Sequence, residues 1–367
     1  MRLLRLSVTG FRNLAPAVID VDAPIVAFCG PNGQGKTNWL EAVGVLGTLR
    51  SFRTSRPAEM VRHGALEASV EGQVFSDAQH RRFSWGWRDG ARALRREEKT
   101  VDALGWLRGL RASYFVPSDV AIVRGEPALR RALLDRATLT VEPSYLALAQ
   151  SLRRALDQKA ALLRTGHADG PTLDALDGQL AALVARVVAR RSDTVAAMLG
   201  PMKDFHASFA GGEVASVRYR PNLPGDAETV LRALHAARSA ERESRRLQVG
   251  PQRDDLELLV DGKPARAYAS QGQARSLVLS WKLAELASAR VDGQTPLFLV
   301  DDVGSELDPE RTARLVHTLG TLGAQVFLTT TDRRYLPVGI DGQRLYQVEA
   351  GVARPVAGGA AADGAAG

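Results

Sequence analysis

The period of the apolar positions changes along the chain, and the changes mark its elements. "LLRLSVTGF" (Leu3 to Phe11) alternates and predicts a strand. "PIVAFCG" (Pro24 to Gly30) is a short apolar run ending in glycine, a second strand. "LEASVEGQVF" and "RRFSWGWR" alternate on either side of "SDAQH", so they predict an antiparallel pair joined by a turn. From Pro143 to Leu163 and from Thr172 to Leu199, Leu, Ala and Val recur at helical spacing. "TGHADGP" between them is rich in turn formers and predicts a helical hairpin. Asp226 is a fit N-cap for a third helix through "AETVLRALHAARSAERESRR". β character returns in "LELLVDG", and "PLFLVDD" and "AQVFLTTTD" are buried-strand runs flanking a helix, the β-α-β pattern of parallel sheets.

These elements describe an α/β domain split in sequence by a helical insertion. Residues 1–118 and 248–350 form its two parts, 119–247 form the inserted lobe, and the low-complexity stretch 351–367 is expected to be a disordered tail. Hairpin helices of roughly 20 residues would reach only about 30 Å, which argues against a long-armed protein.

Composition narrows the class. A chain of 367 residues with 45% hydrophobic residues has room for two domains and a large core. No apolar run approaches the length of a membrane span, and "MRLLRLSVTG" lacks a signal-peptide core, so a soluble, cytoplasmic protein without a membrane partner is expected. The single Cys29 excludes an internal disulfide and a multi-cysteine metal site. A net charge of +7, carried mostly by arginine, favours polyanionic partners.

The chemistry is concentrated in a few stretches. "GPNGQGKT" (Gly30, Pro31, Asn32, Gly33, Gln34, Gly35, Lys36, Thr37) fits G-x-x-x-x-G-K-S/T between an apolar strand and the helix "TNWLEAVGVLGTL", the context that a phosphate loop requires. Its glycines let backbone N–H groups close on phosphate oxygens, and the helix N-terminus adds positive potential. Lys36 then reaches the β and γ phosphates of ATP, and the Thr37 hydroxyl is a ligand for Mg²⁺. "PLFLVDD" ends in two acids. Placed beside the phosphate-loop strand, Asp301 holds Mg²⁺ directly or through water, and Asp302 orients or deprotonates the attacking water. "SELD" follows, where Ser305 and Asp308 either meet a subunit interface or cap the helix starting near Pro309.

"SQGQARS" opens a helix about 240 residues after the phosphate loop. In one fold type, a Ser/Gly/Gln helix start from a second subunit covers the γ-phosphate, which makes Ser270, Gln271, Gly272 and Gln273 a signature acting in trans. The other reading of Ser270 is an ordinary N-cap, and the two are compatible. "LRSFRTSR" carries Arg50, Arg53 and Arg56, which share one face if helical and suit DNA phosphates or a partner's nucleotide. "RRALLDR" and "ERESRR" border the insertion, where they either line a DNA cleft or face solvent.

Together these stretches resemble the ATP-binding-cassette heads of the SMC type, and most closely the RecF family of DNA-repair proteins. The carriers are "FRNL", "GPNGQGKTN", "SFRTSR", "FVPSDVAIVRGEPALRRALLD", "VGPQRDDL", "SQGQAR" and "DDVGSELD", spread over nearly the whole chain to about Val348. Gln252 stands where the family usually has His. The resemblance implies a P-loop ATPase head with a mixed sheet and an inserted helical lobe. It also implies an ATP-dependent homodimer on single-stranded and gapped or junction DNA, and slow, DNA-stimulated ATP hydrolysis. Partnership with RecR and RecO in loading RecA, and a place in the SOS response, are further implications. The residues alone leave two other readings open, the ATPase subunit of an ABC transporter and a non-hydrolysing scaffold.

Overall fold

A computed structural model describes residues 1–165, 170–209, 212–289, 294–306, 309–336 and 342–356. The chain divides into two units, one joining Met1–Asp119 to Glu285–Gly367 and the other comprising Val120–Ala284. The first unit begins with β1 (Arg2–Thr9), β2 (Ala17–Asp20), β3 (Ile25–Cys29), α1 (Lys36–Thr48), β4 (Glu67–Ser76), β5 (Gln79–Arg88), β6 (Ala91–Arg96), β7 (Lys99–Thr100) and β8 (Ala112–Phe115). The second holds α2 (Pro127–Val141), α3 (Tyr145–Thr165), α4 (Gly170–Phe209), β9 (Ala215–Arg220), α5 (Ala227–Ser244), β10 (Asp255–Val260), β11 (Lys263–Pro264) and the start of α6 (Gln271–Ser288). The chain returns to the first unit with β12 (Leu297–Val300), α7 (Pro309–Thr321), β13 (Val326–Thr330), β14 (Gln343–Glu349) and β15 (Val352–Pro355).

The first unit is an α/β head with two sheets. One is antiparallel, in the order β2-β1-β4-β5-β6-β7; the other, β15-β14-β3-β13-β12-β8, is parallel except for its edge strand β15. Every residue of β3, β8, β12 and β13 is buried, as expected of parallel strands covered on both faces. The two longest strands of the antiparallel sheet, β4 and β5, alternate instead and pair as their sequences predict. Helix α1 packs against β8 and β13 of one sheet and β4 of the other, so it is buried nearly all round, with Trp39, Leu40, Val43 and Leu46 fully enclosed. Buried Gln325 ties the sheets at one point: its Oε1 accepts from Leu3 N at 2.7 Å, and its Nε2 donates to the carbonyls of Leu3, Val21 and Ala23.

The second unit extends further along the chain than the expected 119–247. Strand β10 pairs antiparallel with β9, Leu258 facing Val217, and this register draws "DLELLV" into the helical lobe. The alternation in "ASVRYR" signals β9, a strand the sequence reading missed. The helices bury Leu148, Leu152, Leu180, Val184, Val230 and Leu234 in one cluster. Asp226 caps α5 as predicted, accepting from Thr229 N at 2.8 Å. Helix α4 departs from the expectation of short arms: it has 40 residues and continues through Pro201, so it reaches about 60 Å. Lys159 on α3, buried, lies 2.8 Å from Asp177 on α4 and 2.7 Å from Glu241 on α5, tying the three helices by charge. Among the described residues no helix is long and apolar enough to cross a membrane.

The expected tail begins too early. Glu349 pairs with Val352 across a two-residue turn in which Ala350 (φ 48) and Gly351 (φ 82) are both left-handed, the geometry of a type I′ hairpin, so residues 352–355 form an edge strand. Residues 357–367 lie outside the described residues.

Candidate functional site

Strand β3 delivers Gly30 and the phosphate loop to the start of α1. A Cβ on Gly30 would lie 2.4 Å from the Val348 carbonyl oxygen, so no larger residue fits there. Gly35 occupies the N-cap of α1 at φ 105 and supplies no side-chain cap, and no acid lies in the first turn, so no side chain of the helix's own start blocks its positive end. The Lys36 ammonium turns back into the loop and donates to Gly30 O at 2.7 Å and Pro31 O at 2.9 Å. Burial lowers its pKa, with the charges of Asp302 and Asp301 acting in the opposite sense. Gln34 pins the loop to the β14–β15 turn: its carbonyl accepts from Gly351 N, and its Oε1 from Ala350 N, both at 2.8 Å.

The acidic pair meets this loop, although the sheet order differs from that expected. Strand β12 is not beside β3; β13 lies between them. Thr329 of β13 bridges the gap, its hydroxyl donating to Asp301 Oδ1 and accepting from Asp302 N, both at 2.7 Å. Thr37 Oγ1 nevertheless reaches across and donates to Asp301 at 2.9 and 3.2 Å. This places a hydroxyl and a carboxylate, both hard oxygen donors, on one spot at the head of α1, which fits Mg²⁺. Burial pushes the Asp301 carboxyl above its ordinary value; bonds from Thr329 and Thr37 oppose the shift and the Asp302 charge adds to it. A cation at this spot would offset that penalty. Asp302 itself sits at φ 51, in the left-handed region, at the turn that ends the strand.

The three arginines of "LRSFRTSR" do not form a helical face, because residues 50–56 are irregular. Arg53 donates to Asn38, the residue after Thr37, and lies 3.5 Å from Glu41. Glu41 on α1 is fully buried and also accepts from Arg12 at 2.7 and 2.9 Å and from Ser51. The stretches "FRNL" and "SFRTSR" thus converge on one carboxylate. Arg56 lies 3.5 Å from Glu59, and Arg50 is exposed.

The signature begins α6 in the second unit. Ser270 and Gln273 form a reciprocal capping box: Ser270 N donates to Gln273 Oε1 at 2.6 Å, and Gln273 N donates to Ser270 Oγ at 3.2 Å. Ser270, Gln271 and Gly272 are exposed. Ser305 belongs to a short helix, Val303–Glu306, but its side chain and the whole of Asp308 lie outside the described residues.

The charged stretches that border the insertion in sequence are partly consumed inside the lobe. Arg130, 3% exposed, forks onto Asp255 at 2.8 and 2.9 Å. Arg131 donates to Asp254 O at 2.9 Å. Arg191 bridges Asp135 at 2.9 Å and fully buried Asp254 at 2.6 Å, and Asp254 also accepts from Tyr219 and from Asn222 N. "RRALLD" and "GPQRDDL" are therefore two halves of one internal clamp, and Arg130 is not free to line a DNA cleft. The complementary signs of the two stretches were visible in sequence; their pairing was not. Gln252 Nε2 donates to Val249 O at 2.8 Å, folding its side chain over Gly250.

No protein-family model matches the chain. The DNA replication and repair protein RecF of Anaeromyxobacter sp. (strain Fw109-5) is 40% identical over 370 residues, spanning 97% of this chain and 100% of the relative. RecF of Myxococcus xanthus is 40% identical over 347 residues, spanning 90% and 91%. Among solved structures, the recombination mediator protein RecF with ATP, of the RecFOR pathway, is similar at a TM-score of 0.88 and 26% identity over 97% of both chains. The Smc head domain of Pyrococcus furiosus, bound to the C-terminal domain of ScpA, is similar at a TM-score of 0.58 and 16% identity over 96% and 95%, which speaks for the fold alone.

Proposed function

Because the chain belongs to the RecF family of DNA replication and repair proteins, we propose that it is an ATP-switched DNA clamp built on an SMC-type head. Two copies close around two ATP molecules, hold DNA, and part again after slow, DNA-stimulated hydrolysis. The observation that carries this reading is the contact between Thr37 Oγ1 and Asp301 at 2.9 Å, made between residues 264 positions apart and beside a lysine already folded into the phosphate loop. Family membership favours it over a transporter subunit.

In the proposed cycle Lys36 exchanges its two backbone carbonyls for the β and γ phosphates, and the glycine-framed loop and α1 N-terminus receive the rest of the negative charge. Thr37 and Asp301 would hold Mg²⁺, which would supply charge neutralisation to the phosphates. Asp302 orients the attacking water and accepts its proton. Ser270 to Gln273 of a second copy cover the γ-phosphate, so ATP joins the two heads. Arg53, held by Asn38 beside Thr37, serves the nucleotide side of the interface, whereas Arg50 and Arg56 face DNA. The solved relative of the RecFOR pathway supports RecR and RecO as partners; loading of RecA at gaps is the outcome proposed for that partnership.

Sedimentation with ATP, ADP and gapped DNA tests the clamp: a dimer is expected with ATP and not with ADP. Asp302→Asn keeps the shape but cannot take the proton, so turnover should fall by about 10²–10⁴-fold while the ATP dimer accumulates. Wild-type turnover in this variant would remove Asp302 from the reaction.

A further inference from the structure

The signature glutamine is held by a residue outside every motif quoted above. Gln273 uses its side-chain oxygen on Ser270 N, 2.6 Å away, and its side-chain nitrogen on Glu213 Oε1, also 2.6 Å away. Both ends of the amide are therefore engaged within the subunit, which fixes its rotamer and its flip. The capping box transmits that orientation to Ser270 and to the first turn of α6, whose outer residues Ser270, Gln271 and Gly272 stay exposed.

Glu213 is itself braced. Its neighbour Val214 donates its N–H to Asp261 Oδ1 at 2.9 Å and accepts from Asp261 N at 2.9 Å, anchoring the segment to the β10–β11 turn. The other Glu213 oxygen lies 4.0 Å from Nε2 of His206, which is fully buried. His206 Nδ1 lies 3.3 Å from Ser280 Oγ, and that hydroxyl donates to Ser276 O at 2.6 Å, so the far side of the bracket rests on α6 as well. The carboxylate thus meets the amide with a charge-assisted bond on a support that reaches the same helix at two places.

We propose that Glu213 is a positioning residue for the trans signature: it sets Gln273, and through it Ser270, in the geometry that receives the partner's γ-phosphate. The inference rests on the trans reading above. Glu213→Ala should leave ATP binding by the isolated subunit unchanged and the melting temperature nearly so, while weakening the ATP-dependent dimer about tenfold, the cost of re-ordering the freed Gln273 and Ser270 side chains when the dimer closes. Glu213→Gln keeps an oxygen acceptor for Gln273 and should restore dimerisation to within about twofold of wild type. In a double-mutant cycle with Gln273→Met, the Glu213→Ala effect should vanish, since its target is gone.

Sedimentation in ATP reads all of these. Wild-type dimerisation by Glu213→Ala, no rescue by Glu213→Gln, or additive losses in the cycle would each overturn the assignment. If Glu213→Ala melts early, Gln273→Met decides in its place, because a normal ATP dimer in that variant leaves Glu213 nothing to position. Ser270→Arg separates the two levels. Normal dimerisation of Ser270→Arg sinks the trans reading and this inference with it. Failure of Ser270→Arg beside a normal Glu213→Ala sinks the inference alone.

Discussion

Lys36 is buried among backbone carbonyls, and its substitution isolates the phosphate contact. Lys36→Met keeps the length and removes the charge, so ATP affinity should fall by about 1.5–3 kcal/mol, roughly ten- to a hundredfold, in a calorimetric titration. Unchanged affinity would dismiss the phosphate loop. Asp301 makes a different prediction, because its carboxyl is held above the ordinary value by burial. The folded protein then binds a proton more readily than the unfolded chain, so this group costs stability as pH rises from the ordinary carboxylate value through the raised one. Asp301→Asn removes that cost and keeps an oxygen for the hydroxyls of Thr37 and Thr329. The nucleotide-free variant should melt higher than wild type at neutral pH, with the gap closing at low pH, and should lose metal-supported ATP turnover. A lower melting temperature at neutral pH would contradict the account.

At the scale of elements, the charged clamp of the lobe replaces apolar packing where α4 meets the "RDD" turn. Arg191 is 6% and Asp254 0% exposed, and a buried acid without its partner is among the costlier single losses. Arg191→Met should destabilise the protein by about 3–5 kcal/mol in urea unfolding. The loss should shrink below the carboxylate range, where Asp254, already raised by burial, becomes neutral. A pH-independent loss would point to packing instead of charge. Periodicity disclosed where α3 and α4 lie, because both bury a stripe of Leu, Ala and Val. It did not disclose that α4 runs through Pro201, since a proline in sequence ordinarily ends a helix. The strand β9 escaped because its alternation spans only six residues, two of them arginines, and its partner β10 lies 35 to 45 positions later in the antiparallel register.

For the whole molecule, a net charge of +7 bears on how DNA is held. If the clamp grips phosphates, log affinity should fall linearly with log salt, by about 0.9 per duplex phosphate contacted. The affinity should be higher with ATP than with ADP, because in the proposed clamp only the closed dimer would bring the DNA-facing residues of two copies together. Fluorescence anisotropy on gapped duplex across a salt series checks both, and salt-insensitive or nucleotide-blind binding would dismiss the clamp. Substituting Arg130 should not change the salt slope, since its charge is taken up by Asp255.

The parts of this protein carried by consecutive residues were legible from the chain alone. The phosphate loop, the Asp301–Asp302 pair, the N-cap at Ser270 and the split of an α/β head by a helical lobe each show in the type and period of neighbouring residues. Tertiary structure decided what depends on partners far apart in sequence. It set β13 between β12 and β3, so that Thr329 ties the two acids together while Thr37 reaches Asp301 from the phosphate loop. It took "RRALLD", a candidate DNA contact, into an internal clamp with "GPQRDDL", scattered the three arginines near Ser51, and brought Glu213 to Gln273. Such pairings are chosen by sheet order and helix packing, where any of many arginines and acids is chemically suitable and only the fold selects which ones meet.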